Sequence, residues 1–236
     1  MIALHIGDVI GDYPDFRVAF AVLRGIRSPS DCGPGIEALA AETERETTAI
    51  LSATAIAELE EIRQWRAAYR SFGIKKTSYR NACEALLRRI GRGDGLPHVA
   101  PLVDLYNALS VKYRIPAGAD DLAALSPPLA FRYAKPGDGF RDLAGDPDSD
   151  DPPKPGEVVL ADTAHVLCRR WNWRQDARSR IQPSTSDATL VLQTLADDGA
   201  ERLTNAAEEL TKHAREDLGA TCEWKIASAD APEVII

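Results

Sequence analysis

No apolar run in these 236 residues approaches the roughly 18 that a membrane-spanning helix needs. The opening Met-Ile-Ala-Leu-His-Ile-Gly-Asp lacks the cationic segment and apolar stretch of a secretion signal. A soluble, cytoplasmic protein without membrane association is therefore the expectation. Cysteine is scarce as well: Cys32, Cys83, Cys168 and Cys222 are dispersed, with no C-x-x-C pair and no histidine at the spacing of a zinc site. Reduced thiols follow, rather than a disulfide framework or a metal centre. The standard catalytic signatures are missing too, with no G-x-S-x-G elbow, Walker loop, G-x-G-x-x-G after a strand, or H-E-x-x-H. Each of the four histidines, His5, His98, His165 and His213, reads better as a solvated or structural imidazole than as a catalytic base. Nothing calls for a cofactor.

What is present begins with charge. The net charge of -8 argues, taken globally, against a polyanionic ligand. The distribution argues the other way. Residues 63–93 hold seven Arg and two Lys against Glu84 alone, and residues 169–180 hold five Arg against Asp176. The two stretches thus carry +8 and +4, which leaves -20 for the remainder. A solvated helix face accounts for one such cluster; a second, with arginines among aromatics, points to a surface that contacts phosphate.

Residues 1–6 alternate weakly and are read as an edge strand, followed by a turn at 11–14. From 34 to 73 the apolar spacing is helical and predicts two helices, the second running through Leu59, Ile62, Trp65, Ala68 and Tyr69. A third helix, capped by Thr77 or Ser78, carries Ala82, Ala85, Leu86 and Ile90 as its stripe. A fourth follows Pro97 and stops before Pro116. Strand-length runs come next at 129–133, 157–160, 164–168 and 189–195, with an Asp- and Pro-rich surface loop at 145–156. A last amphipathic helix over 201–216 and a strand over 221–226 complete an α+β pattern rather than a βαβ alternation. The expected architecture is a mixed β-sheet flanked by helices, with a mostly helical N-terminal segment (1–54) packed on a main unit (55–236).

Two segments stand out chemically. The run Arg169-Arg170-Trp171-Asn172-Trp173-Arg174 puts three guanidinium groups, two indoles and an amide within six residues. If extended, it turns Arg170, Asn172 and Arg174 to one face and Arg169, Trp171 and Trp173 to the other. One face could hold phosphate or carboxylate; an indole-filled core with stacked arginines is the competing reading. On the fourth helix Tyr106, Asn107 and Ser110 recur at three- and four-residue spacing, so their polar atoms lie on or beside one face.

With Trp65-Arg66-Ala67-Ala68-Tyr69, Phe72-Gly73, Glu84-Ala85-Leu86-Leu87-Arg88-Arg89, Leu102-Val103-Asp104-Leu105-Tyr106-Asn107 and Pro116-Ala117-Gly118, these segments make a combination. Over about residues 55–212 it resembles the B3/B4 editing domain of the phenylalanyl-tRNA synthetase beta subunit and free-standing proteins like it. In the synthetase that module hydrolyses tyrosine esterified to the phenylalanine tRNA. Such a second site is needed because an apolar pocket rejects one added hydroxyl by only about 10²-fold.

The resemblance implies a trans-acting hydrolase of mischarged aminoacyl-tRNA. Its partner would be tRNA and not DNA. It assigns catalysis to Asn107 and Tyr106, and substrate binding to Ser110, Gly118, Ala119, Arg169, Arg170, Asn172, Arg174 and Thr194. Contacts to tRNA fall to Arg66, Arg80, Arg88 and Arg89. The same register sets Gly118 where the synthetase carries its editing histidine, and the 171–174 region where its glycine-rich turn and glutamate read the tyrosine hydroxyl. Two alternatives stay open: a non-catalytic module binding aminoacyl-tRNA or an amino acid, and a small-molecule enzyme whose arginines read a carboxylate.

Overall fold

The structure is a computed structural model and describes residues 1–27, 33–74, 79–143 and 152–236. In chain order the strands are β1 (Ala3–His5), β2 (Arg17–Arg24), β3 (Ala117–Asp121), β4 (Leu129–Tyr133), β5 (Val158–Ala161), β6 (Val166–Arg169), β7 (Arg174–Gln175), β8 (Asp187–Thr194), β9 (Thr221–Ala227) and β10 (Glu233–Ile235). The helices are α1 (Gly7–Ile10), α2 (Pro34–Ala53), α3 (Glu60–Ser71), α4 (Ala82–Gly91), α5 (Pro101–Tyr113) and α6 (Gly199–Glu216).

Strands group into two sheets where the sequence pointed to one. The larger has the order β10-β1-β4-β5-β6-β7, with β1 parallel to β4 and every other pair antiparallel; the smaller, β3-β8-β2-β9, is wholly antiparallel. The expectation of an edge strand at the start of the chain is corrected, since β1 lies between β10 and β4.

The small sheet is the middle layer of three, and β2 shows why. Val18, Phe20 and Val22 enter a core shared with Leu4, Phe131 and Leu160 of the large sheet. Ala19, Ala21 and Leu23 enter a second core shared with Ile36, Leu105, Leu109, Leu203 and Leu210 of the helices. Apolar side chains on both faces are what a strand covered on both sides requires. Residues 1–54 therefore contribute two strands as well as α1 and α2, and β2 pairs along its whole length with β8.

Two local features set up the site. Helix α5 starts at Pro101, where the missing amide proton costs nothing, and is buried almost all round through Leu102, Val103, Leu105, Ala108, Leu109 and Val111. It starts later than expected from Pro97 because Asp104 Oδ1 accepts the Val99 amide at 2.8 Å and holds the preceding turn outside the helix. Helix α4 is capped by Asn81, whose Oδ1 accepts the Glu84 amide at 2.8 Å. The caps expected from sequence, Thr77 and Ser78, lie outside the described residues, as do Cys32 and most of the Asp- and Pro-rich stretch.

Candidate functional site

At the edges of the two sheets, β3 and β7 come side by side, and Gln175 of β7 donates from Nε2 to the Ala119 carbonyl of β3 at 2.5 Å. Beneath this junction α5 runs past β3 and the β6–β7 turn faces them. Together they enclose a cavity of about 170 Å³. A cavity of roughly 150 Å³ already holds benzene, so the space fits an amino-acid side chain with its polar head. Ala82, Ala117, Leu160 and Val191 give apolar wall; Tyr106, Asn107, Asn172 and Gln193 give polar atoms. Gly118 also faces it, and a Cβ there would meet nothing within 4 Å.

Two charged side chains line the cavity, Asp120 and Arg174. Asp120 is 5% exposed, and its Oδ1 accepts from Ser179 Oγ at 2.6 Å and Gln175 Nε2 at 3.0 Å. Burial pushes its carboxyl up to about 6; Ser179 and Gln175 oppose the rise, and the nearby carboxylates Asp176 and Asp162 add to it. The other titratable groups on the wall are fixed as neutral donors. Burial holds the Tyr106 phenol and the Cys168 thiol far above their ordinary values, with the charge of Asp120 adding to both. Cys168 is therefore no ready thiolate nucleophile. None of the four histidines lines the cavity.

The 169–174 run is not extended. Arg170 and Trp171 adopt φ of 48° and 67°, the left-handed region that non-glycine residues seldom occupy, at a cost on the order of 1–3 kcal/mol each. What offsets this is Trp171, which is fully buried and packs edge-on against Tyr13, Phe16 and Trp65 at centroid distances of 4.6, 5.0 and 5.2 Å. The left-handed turn carries Asn172, Trp173 and Arg174 onto the cavity wall. Asn172 is then fixed at both ends. Its Oδ1 accepts from Tyr69 at 2.8 Å, and its Nδ2 donates to Gln193 at 3.2 Å.

The expected alternation of faces is thus corrected, and two of the arginines serve the interior. Arg169, 1% exposed, donates to both oxygens of buried Glu157 at 3.0 and 3.2 Å. Arg170 is clamped between the rings of Tyr79 and Trp173, 3.7 and 4.3 Å from their centroids, with Glu157 3.7 Å away. Arg174 alone of the three reaches the cavity, stacked on Trp173 at 5.1 Å.

A second arginine group gathers on and around α4, next to the cavity wall. Glu84, 1% exposed, receives Arg66 at 2.6 and 3.0 Å and Arg88 at 3.0 Å, with Arg80 at 3.7 Å. Burial works to raise the Glu84 carboxyl, but the guanidinium groups of Arg66 and Arg88 outweigh it and hold it below the usual range. Three cations on one carboxylate leave a surplus of positive charge. The group adjoins the cavity because α4 begins at Ala82, a wall residue whose amide donates to the Asn172 carbonyl at 2.9 Å. Arg89 points elsewhere, to the carbonyls of Gly95 and Asp94.

Of the residues singled out in sequence, Tyr106, Asn107, Gly118, Ala119, Asn172 and Arg174 meet around one cavity. Ser110, Arg169, Arg170 and Thr194 do not line it. Ser110 donates to the Ile115 carbonyl at 2.6 Å to close the end of α5, and Thr194 accepts the Ala196 amide at 3.1 Å. Sequence reasoning missed Asp120, Gln175 and Gln193. The detectable signal was the pair Asp120-Asp121 following Ala-Gly-Ala, since acidic side chains are disfavoured in strands and seldom buried without a purpose.

Among the described residues no helix is long and apolar enough to cross a membrane, and no cluster of three or more His, Cys, Asp or Glu side chains could hold a metal ion. A comparison with curated proteins returned no match. Among solved structures, an N-terminal fragment of the phenylalanyl-tRNA synthetase beta-subunit from Pyrococcus horikoshii is similar at a TM-score of 0.49 and 12% identity. The match covers 94% of this chain and 50% of that one, so the chain spans about half the fragment's length. The family model described as "B3/4 domain" matches residues 64–215. That is well over half of the sequence and runs from within α3 to the last turn of α6, taking in the whole cavity wall, and the chain accordingly belongs to the B3/4 domain family.

Proposed function

We propose that this B3/4 protein removes amino acids from mischarged tRNA by hydrolysing the aminoacyl ester. The observation that carries the reading is the common cavity shared by Asn107, Tyr106, Gly118 and Arg174, with a further group of arginines around Glu84 on the adjoining helix α4. The amino acid enters the cavity. The terminal adenosine and its phosphates lie across Trp173, Arg174 and the Arg66, Arg80 and Arg88 group, where stacking and guanidinium–phosphate contacts are available.

Water adds to the ester carbonyl, the bond to the ribose oxygen breaks, and the products are a free amino acid and an uncharged tRNA end. No protein nucleophile is needed. Tyr106 and Asn107 donate toward the carbonyl oxygen and the water, and fixed donors in an enclosed site stabilise developing charge without reorganising. Gly118 lets the ester approach the β3 backbone closely, because no side chain intervenes.

The test is single-turnover incubation of the protein with tRNA carrying each of several labelled amino acids. Release above the buffer rate for at least one species is expected. A second reading, binding without turnover, is favoured by the absence of histidine from the wall. Retention of charged tRNA with release no faster than in buffer would select it.

A further inference from the structure

The wall of the cavity holds one anionic group, and half of it is uncommitted. Asp120 Oδ1 is taken by Ser179 and Gln175, whereas Oδ2 holds no hydrogen bond among the described residues, although the side chain is 95% buried and lines the cavity. That oxygen is not sealed into the packing but stays open to the cavity, so a donor entering the cavity can reach it. A metal ion is a poor candidate, because hard cations gather six or more oxygens and no cluster of ligating side chains exists among the described residues. An ammonium group fits better. It brings three donors and one positive charge, for which Asp120 Oδ2 is an acceptor in a cavity that Tyr106 and Asn107 also line. Charge from an arriving cation would also draw the carboxyl back from its raised value toward the ionised form.

We propose that Asp120 anchors the free α-ammonium group of the bound amino acid, so that the site takes aminoacyl esters with an unblocked amine and rejects N-acylated ones. This rests on the deacylase reading above and narrows its substrate class: initiator-type formylated esters and peptidyl esters are excluded by chemistry, not by size alone. Acylation removes the charge and converts a three-donor head into a single amide N–H, which leaves the Asp120 carboxylate buried opposite a neutral group.

The experiment pairs two measurements. Deacylation rates are compared for tRNA carrying the same amino acid with a free and an acetylated amine. In parallel, affinities are compared for the amide-linked, non-hydrolysable aminoacyl adenosines in both forms. At least a tenfold preference for the free amine is expected in the wild-type protein in both measurements. Asp120→Asn should bring the free-amine value down toward the acetylated one, so that the preference disappears. Ser179→Ala, which removes a partner of Asp120 without removing its charge, should keep a preference, and this separates charge recognition from a merely structural role. Equal handling of both amines by the wild type, or an unchanged preference in Asp120→Asn, would overturn the anchor and leave the deacylase reading standing. Failure of both forms to be cleaved and to be bound would overturn both.

Discussion

Asp120 gives the sharpest thermodynamic forecast, because a carboxylate kept for a ligand must cost the empty protein stability. Its folded value of about 6 lies above the ordinary 3.8, a difference of about two units. At about 1.4 kcal/mol per unit this corresponds to roughly 3 kcal/mol of differential protonation. The folded state binds the proton more tightly, so stability falls as pH rises from about 4 to about 6 and stays lowered above that window. Asp120→Asn removes the charge but keeps an oxygen to accept from Ser179 and Gln175, while its new amide nitrogen faces the cavity. It should therefore be more stable than the wild type by roughly 1–3 kcal/mol at pH 8, with the advantage shrinking to near zero by pH 4. Urea unfolding of both proteins at pH 8, 6, 5 and 4 measures it. An Asn variant no more stable at pH 8, or an advantage that does not shrink on acidification, would refute the reasoning.

Further outcomes follow from the same geometry. Gly118→Val should leave the fold within about 1 kcal/mol of the wild type, since β-branched residues suit strands and the space is open, yet abolish ligand binding; urea titration and binding to aminoacyl-tRNA read the two effects separately. Trp171→Ala removes the indole that sustains two left-handed residues and should cost about 3–5 kcal/mol in the same unfolding assay. Glu157→Gln strips the buried partner of Arg169 and Arg170 and should cost roughly 3–5 kcal/mol. Arg80→Gln and Arg88→Gln should each weaken tRNA binding and lower the log–log salt slope by about 0.7–0.9, measured by filter binding from low to high salt.

The sequence made some elements plain and hid others for definite physical reasons. Helices α3 and α6 and strands β4 and β8 were legible because each buries one clear face or an unbroken apolar run between turn residues. Strand β2 was not, since Val18, Ala19, Phe20, Ala21, Val22 and Leu23 are buried on both sides and show no period to detect. Strand β3 was hidden by its composition, with glycine at its centre and two aspartates at its end. The site divides the same way. Residues 106–107 on a regular helix reach one cavity together, whereas Ser110, read onto the same face, turns to the Ile115 carbonyl. The 169–174 run was not legible, because two consecutive left-handed residues reversed the expected alternation, and no local rule assigns that conformation to Arg-Trp. Arginines 169 and 170 looked like ligand contacts until Glu157, a dozen residues upstream, proved to be their partner. Ion pairs across strands leave no mark in the local pattern.

Everything turns on whether the cavity beside Asn107 cleaves an ester. The most direct measurement is single-turnover release of labelled amino acid from a panel of charged tRNAs by the wild-type protein and Gly118→Val. Release well above the spontaneous rate for some members of the panel, lost when valine fills the cavity, is the expected result. Spontaneous-rate release throughout, or release that Gly118→Val leaves untouched, would contradict the account.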